Sequence, residues 1–141
     1  MNIKELKVIK QKCLNDFLFF TRYIFKKRFN KPFIVSQHHQ TISDALMRVY
    51  NGETKRLIIN IAPRYGKTEL AVKNFIAYSL ANNPSAKFIH LSYADDLALD
   101  NSEAIREIVK SAEYQELFNV EIKSNTDSKK KWHTTKDGGV Y

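Results

Sequence analysis

The apolar, largely β-branched run Leu57-Ile58-Ile59-Asn60 leads directly into Ile61-Ala62-Pro63-Arg64-Tyr65-Gly66-Lys67-Thr68, and an amphipathic stretch follows at once. An extended run, a tight glycine turn and a helix start in that order leave few ways to fold. They are the parts of a phosphate-binding loop: a delivering strand, backbone N–H groups turned toward phosphate, a lysine for the terminal phosphates and a hydroxyl for Mg²⁺. Gly66, Lys67 and Thr68 meet the last three demands. The usual pattern also opens with a glycine at the position held here by Ile61, so the loop is a variant. The competing reading is a surface turn carrying a solvated lysine.

The surrounding pattern predicts alternating helices and strands. Ile3, Leu6, Ile9, Cys13, Leu14, Phe17 and Phe20 recur at helical spacing, so one or two helices are expected before Arg28. Asn30-Lys31-Pro32 breaks the pattern, and a helix from about Gln37 to Asn51 follows, with Ile42, Ala45, Leu46, Val49 and Tyr50 as its stripe. Arg56 to Ile61 reads as the strand feeding the loop. A helix then runs from Gly66 to Asn82-Asn83-Pro84, and Lys87 to Tyr93 reads as a second strand. Strand, helix and strand predict a parallel βαβ unit with a right-handed crossover. Asp95 to Val109 and Ser111 to Phe118 are further helical stretches. Trp132-His133-Thr134-Thr135, the turn signal Asp137-Gly138-Gly139 and Val140-Tyr141 predict a hairpin. Because the sequence stops within that hairpin, the chain is expected to be the N-terminal piece of a longer one.

The expected fold is therefore α/β: a helical N-terminal segment over residues 1–31, then an incomplete P-loop ATPase domain with a parallel βαβ core over residues 32–141. A length of 141 residues and 43% apolar content suit a globular domain with a sizeable core. The one cysteine, Cys13, cannot form an internal disulfide. Phe17-Leu18-Phe19-Phe20 is greasy, but Asp16, Arg22 and Lys26-Lys27-Arg28 interrupt it too soon for a membrane span. With no signal-peptide pattern, a soluble cytoplasmic protein is expected. Charge is uneven: residues 1–67 hold 14 Lys/Arg against 4 Asp/Glu, and residues 68–141 hold 9 against 11. A basic first half suits a polyanionic partner, nucleic acid or nucleotide phosphate, or is simply a solvated helix face.

Within the loop, Lys67 is expected along the β and γ phosphates, Thr68 on Mg²⁺, and Arg64 beside the γ-phosphate. Pro63, Tyr65 and Gly66 complete the nucleotide-binding set. Asp95 and Asp96 are the acidic candidates nearest a strand end, although a helix start is also stabilised by acids there. The acidic strand and carboxylate base that such hydrolases use are expected beyond Tyr141. Gln37-His38-His39-Gln40 makes a poor zinc site, because adjacent histidines diverge by about 100° on a helix and no Cys/His set accompanies them. Two readings stay open for them: approach to an adenine base, or an ordinary helix start.

Three stretches together resemble the N-terminal ATPase region of the large subunit of tailed-phage terminases, the motors that package DNA into proheads. They are Phe33 to His39, Gly52 to Ala71 with its Pro-Arg-aromatic-Gly-Lys-Thr-Glu loop, and Ser92 to Ala98. The tail Trp132-His133-Thr134-Thr135 with Asp137-Gly138-Gly139 is similar to the family's next segment. The resemblance implies an ATP- and Mg²⁺-dependent translocase of double-stranded DNA in the bacterial host cytoplasm. It also implies assembly as a homo-oligomer and, in a full-length form, terminase small subunit and portal protein as partners. It matches Arg64 to a γ-phosphate sensor and Gln37 to an adenine-contacting glutamine. The family's second acidic motif, coupling segment and nuclease have no counterpart in residues 1–141, so weak independent hydrolysis is expected. Two alternatives stay open: a non-enzymatic prophage remnant that binds DNA through its basic face, and another P-loop ATPase such as a helicase-like translocase.

Overall fold

A computed structural model describes residues 2–126, 128 and 130–141. Helix α1 (Ile3–Asn15) starts at Asn2, whose side chain accepts from the Lys4 N–H while Glu5 reaches back to the Asn2 N–H. Asp16 ends α1 and caps α2 (Phe17–Phe29), taking the Phe19 N–H at 2.9 Å, so two helices stand where the apolar spacing allowed one or two. Asn30 closes α2 in the left-handed conformation just ahead of Pro32. Helix α3 (Gln37–Tyr50) precedes the loop. After the loop, a π-turn (Glu69–Asn74) continues as α4 (Phe75–Asn82). Then come β1 (Lys87–Phe88), α5 (Asp95–Lys110), α6 (Ala112–Phe118), a 3₁₀ turn at Ser124–Thr126, β2 (Trp132–His133) and β3 (Gly139–Val140).

The core lies between helices. Phe17 and Phe20 meet Tyr78 edge-on at 5.3 and 5.5 Å between ring centres, and Phe20 also meets Tyr114. Such edge contacts add to plain area burial. Both tyrosine hydroxyls are satisfied: Tyr78 donates to the Leu14 carbonyl and Tyr114 to the Ala77 carbonyl, each at 2.8 Å. One buried cluster joins Phe17, Phe20 and Ile24 of α2 to Leu80 of α4, Ile105 and Val109 of α5, Trp132 and Val140. The greasy stretch of α2 is thus spent on this core. Among the described residues no helix is long and apolar enough to cross a membrane.

The α/β class with a parallel βαβ core, expected from the sequence, is not what the chain adopts. Helices account for 59% of the protein, and the sheet is a small mixed one of order β1-β3-β2, not a parallel βαβ core. Its one parallel pair joins β1 to β3, Lys87 opposite Gly139 and Phe88 opposite Val140. The Arg56–Ile61 segment belongs to no strand among the described residues. Its alternation is nevertheless real: Leu57, Ile59 and Ile61 pack on the core cluster while Ile58 is 84% exposed. Period-two patterning therefore records one-sided burial, which an extended segment can achieve against helices without a hydrogen-bonded neighbour. The Lys87–Tyr93 run is likewise a strand only at its first two residues, with Leu91 and Tyr93 exposed beyond them.

The hairpin does form. β2 and β3 pair antiparallel, Trp132 opposite Val140 and His133 opposite Gly139. Gly138 lies so close to the Pro84 and Ala86 carbonyls that a Cβ there would collide with backbone. Trp132 is fully buried and donates its indole N–H to the Ser102 hydroxyl at 3.2 Å, which ties the hairpin to α5.

Candidate functional site

Residues Ile61 to Thr68 form an exposed turn that opens the helical run containing the π-turn and α4. Arg64 and Gly66 both have left-handed backbone, φ 68° and 77°, so the chain reverses on either side of Tyr65. Glycine adopts that conformation freely, whereas at arginine it costs on the order of 1 kcal/mol and is held by its surroundings. Lys67 and Thr68 follow as the first residues of the helical run, both exposed. The leading N–H groups of a helix have no intrahelical partners, so this end offers donors and a partial positive charge to an anion. Pro63 and Tyr65 are exposed beside them.

Two sets of contacts hold the loop from behind. On α3, the Ser36 N–H donates to His39 Nδ1 at 3.0 Å, which leaves the proton of the neutral ring on Nε2. Nε2 then donates to the Tyr65 carbonyl at 3.1 Å, and His38 Nε2 lies 3.3 Å from the same oxygen. The two Nε2 atoms are themselves 3.1 Å apart, so His38 Nε2 is a second partner for the His39 Nε2–H beside the carbonyl. His39 is buried, edge-on to Phe33 at 4.9 Å, and a Cβ on Gly66 would come to 3.0 Å from its Nε2. Burial and then the facing His38 hold the His39 imidazole below the ordinary histidine range, with the Tyr65 carbonyl acting weakly the other way.

The second set centres on Glu69. Its carboxylate pairs with Arg28 of α2 at 2.6 Å and with Lys73 at 3.7 Å. Asn74, fully buried, donates from Nδ2 to the Glu69 carbonyl at 2.7 Å and to its carboxylate at 2.9 Å. A π-turn frees carbonyls from the ordinary i to i−4 ladder, and Asn74 occupies one of them. Glu69 is thereby committed to Arg28, Lys73 and Asn74, away from any metal role.

The structure brings some of the sequence candidates together and separates others. Pro63, Arg64, Tyr65, Gly66, Lys67 and Thr68 share one turn. Gln37 is exposed on the first turn of α3, the same turn that sends His38 and His39 to the loop. Asp95 and Asp96 lie exposed in the first turn of α5, where they complement the helix dipole. For Mg²⁺ the fit is partial: Thr68 supplies one hydroxyl, and the described residues contain no grouping of three His, Cys, Asp or Glu side chains. A cleft of about 210 Å³ bounded by His90, Asp95, Ser102, Lys130 and Tyr141 includes no residue of the loop. The histidine contact and the Arg28–Glu69 pair are absent from the sequence-level site. A histidine three residues after Ser36, at the reach-back position of a helix start, was the one available signal.

No protein family, curated protein or solved structure matches this chain.

Proposed function

We propose that the Ile61–Thr68 turn grips the phosphates of ATP with Mg²⁺, and that the chain is the N-terminal ATPase portion of a terminase-like motor for packaging double-stranded DNA. The observation that carries this reading is the paired left-handed backbone of Arg64 and Gly66, immediately ahead of Lys67 and Thr68 at a helix start. The reading rests on the loop and its braces, not on a sheet. Lys67 neutralises the terminal phosphates, Arg64 reaches the γ-phosphate, Pro63 and Tyr65 shape the turn, and Gly66 lets backbone approach. Gln37, on the turn of α3 that touches the loop, is the adenine contact. Thr68 and phosphate oxygens hold Mg²⁺, which when bound offsets phosphate charge. Glu69 is engaged elsewhere, and Asp95 and Asp96 sit at the start of α5, so none of these three is placed as a carboxylate base at the loop. Binding should therefore outpace hydrolysis. The basic first half is the surface for duplex DNA.

The test is titration of the chain with a fluorescent ATP analogue and Mg²⁺, compared with Lys67→Ala. Removing a charge-assisted contact worth about 1.5 to 3 kcal/mol should weaken binding roughly 10- to 100-fold. Equal binding by both proteins would sink the proposal. Salt-sensitive duplex binding that ignores both ATP and Lys67→Ala would favour a plain DNA-binding module instead.

A further inference from the structure

We infer that His39, braced by His38, is a positioning residue for the loop: its neutral imidazole is a two-ended strut that joins the start of α3 to the Tyr65 carbonyl and thereby holds the Arg64-to-Gly66 turn. The inference depends on the phosphate-loop reading for its consequence on nucleotide binding but not for its geometry. One end of the strut is the Ser36 N–H on Nδ1 at 3.0 Å, and the other is Nε2 on the Tyr65 carbonyl at 3.1 Å. The accepting carbonyl lies between the two left-handed residues, so fixing that peptide fixes the reversal on both sides of it. Phe33 packs on the ring, and Phe25 of α2 packs on Phe33 at 5.2 Å, so the strut is backed by α2. A Cβ on Gly66 would come to 3.0 Å from Nε2, a tight approach that the imidazole would have to yield to, and the left-handed φ of 77° strains any larger residue there.

The strut works only in the neutral ring. A second proton would have to enter at Nδ1, which the Ser36 N–H occupies, and the resulting cation would face His38, whose ring centre is 3.9 Å away. Besides Arg64, Tyr65 and Lys67 of the loop, α2 carries Arg22, Tyr23, Lys26, Lys27 and Arg28, the π-turn carries Glu69 and Lys73, and α3 carries Asp44, Arg48 and Tyr50; Arg28 is paired with Glu69. The folded protein therefore resists protonating His39 more than the unfolded chain does. Its contribution is complete above pH 6.5 and falls as pH drops below that value. Simple charge attraction would have the opposite sign, since a histidine cation beside the loop would tighten phosphate binding on acidification.

Trypsin cleavage after Arg64 and Lys67 under native conditions reports the order of the loop without any nucleotide. His39→Asn retains an acceptor near Nδ1 for the Ser36 N–H but cannot reach Tyr65, while His39→Gln places a donor near Nε2. Losing a hydrogen bond of ordinary worth should make His39→Asn cleave about tenfold faster than the parent, with His39→Gln within about twofold of it. ATP affinity should follow the same order and should weaken in the parent below pH 6.5. Parent-like protection in His39→Asn, or equal exposure in both variants, would overturn the strut. Should the variants fail to fold, ¹⁵N spectra of the parent imidazoles decide: the Nε2–H tautomer at His39 supports the strut and the Nδ1–H tautomer refutes it. A parent that shows the expected cleavage order yet binds no ATP would leave the strut standing and remove the nucleotide reading alone.

Discussion

The hairpin at residues 132–140 and the Leu57–Ile61 segment read almost alike as sequence, yet one becomes part of a sheet and the other does not. In the hairpin, Asp137 and Gly138 turn the chain so that β3 lies beside β2, and the partner is only a few residues away. Closing so short a loop costs little conformational entropy. Trp132 then fixes the face by burying its ring and bonding Ser102. The Leu57–Ile61 segment has no such local partner, and β1 takes β3 as its neighbour. It settles instead by placing alternate side chains on the buried core cluster, leaving Ile58 outside. Alternation thus selects a buried face, whereas pairing requires a partner that can be reached.

Three substitutions grade that contrast. Trp132→Ala should cost most, about 3 to 5 kcal/mol, because it empties a fully buried aromatic site and leaves the Ser102 hydroxyl without its donor. A thermal melt close to that of the parent would mean that the hairpin is peripheral to the core. Arg28→Ala should be intermediate, about 1 to 2 kcal/mol, lying between the exposed and buried limits for an ion pair. Its partner Glu69 retains Lys73 and Asn74, so the melt should shift modestly while trypsin reaches the loop sooner. Ile58→Lys should change stability by no more than about 0.5 kcal/mol while reducing self-association at high concentration. A large loss of stability there would show that the outer face of the segment is covered after all.

Much of the helical architecture was legible in residues. The spacing of Phe17 and Phe20, and of Ile42 and Leu46, follows from the 3.6-residue period, and Asn30-Lys31-Pro32 and Asn82-Asn83-Pro84 stop helices by their backbone chemistry. The loop was legible because Gly66, Lys67 and Thr68 are contiguous. The π-turn was not, since it depends on where the Asn74 side chain can reach once α4 is packed. The histidine contact was hidden for a similar reason. His38 and His39 invite a reading as ligands or base contacts, and only the folded chain brings Tyr65, 27 and 26 positions away from them, against both.

What the sequence determined by itself is local: helix starts and stops, the central stripe residues such as Phe17, Phe20, Ile42 and Leu46 but not the end residues Ile3 and Tyr50, which are exposed, the hairpin turn, and a glycine turn followed by Lys67 and Thr68. Each follows from torsional preference, side-chain period or adjacency along the chain. Tertiary structure alone decided that Leu57–Ile61 packs on the core cluster with no strand partner among the described residues, that Glu69 is taken by Arg28, and that His39 props Tyr65. Those outcomes join residues distant in sequence, so they depend on which surfaces the packed core brings within hydrogen-bonding distance.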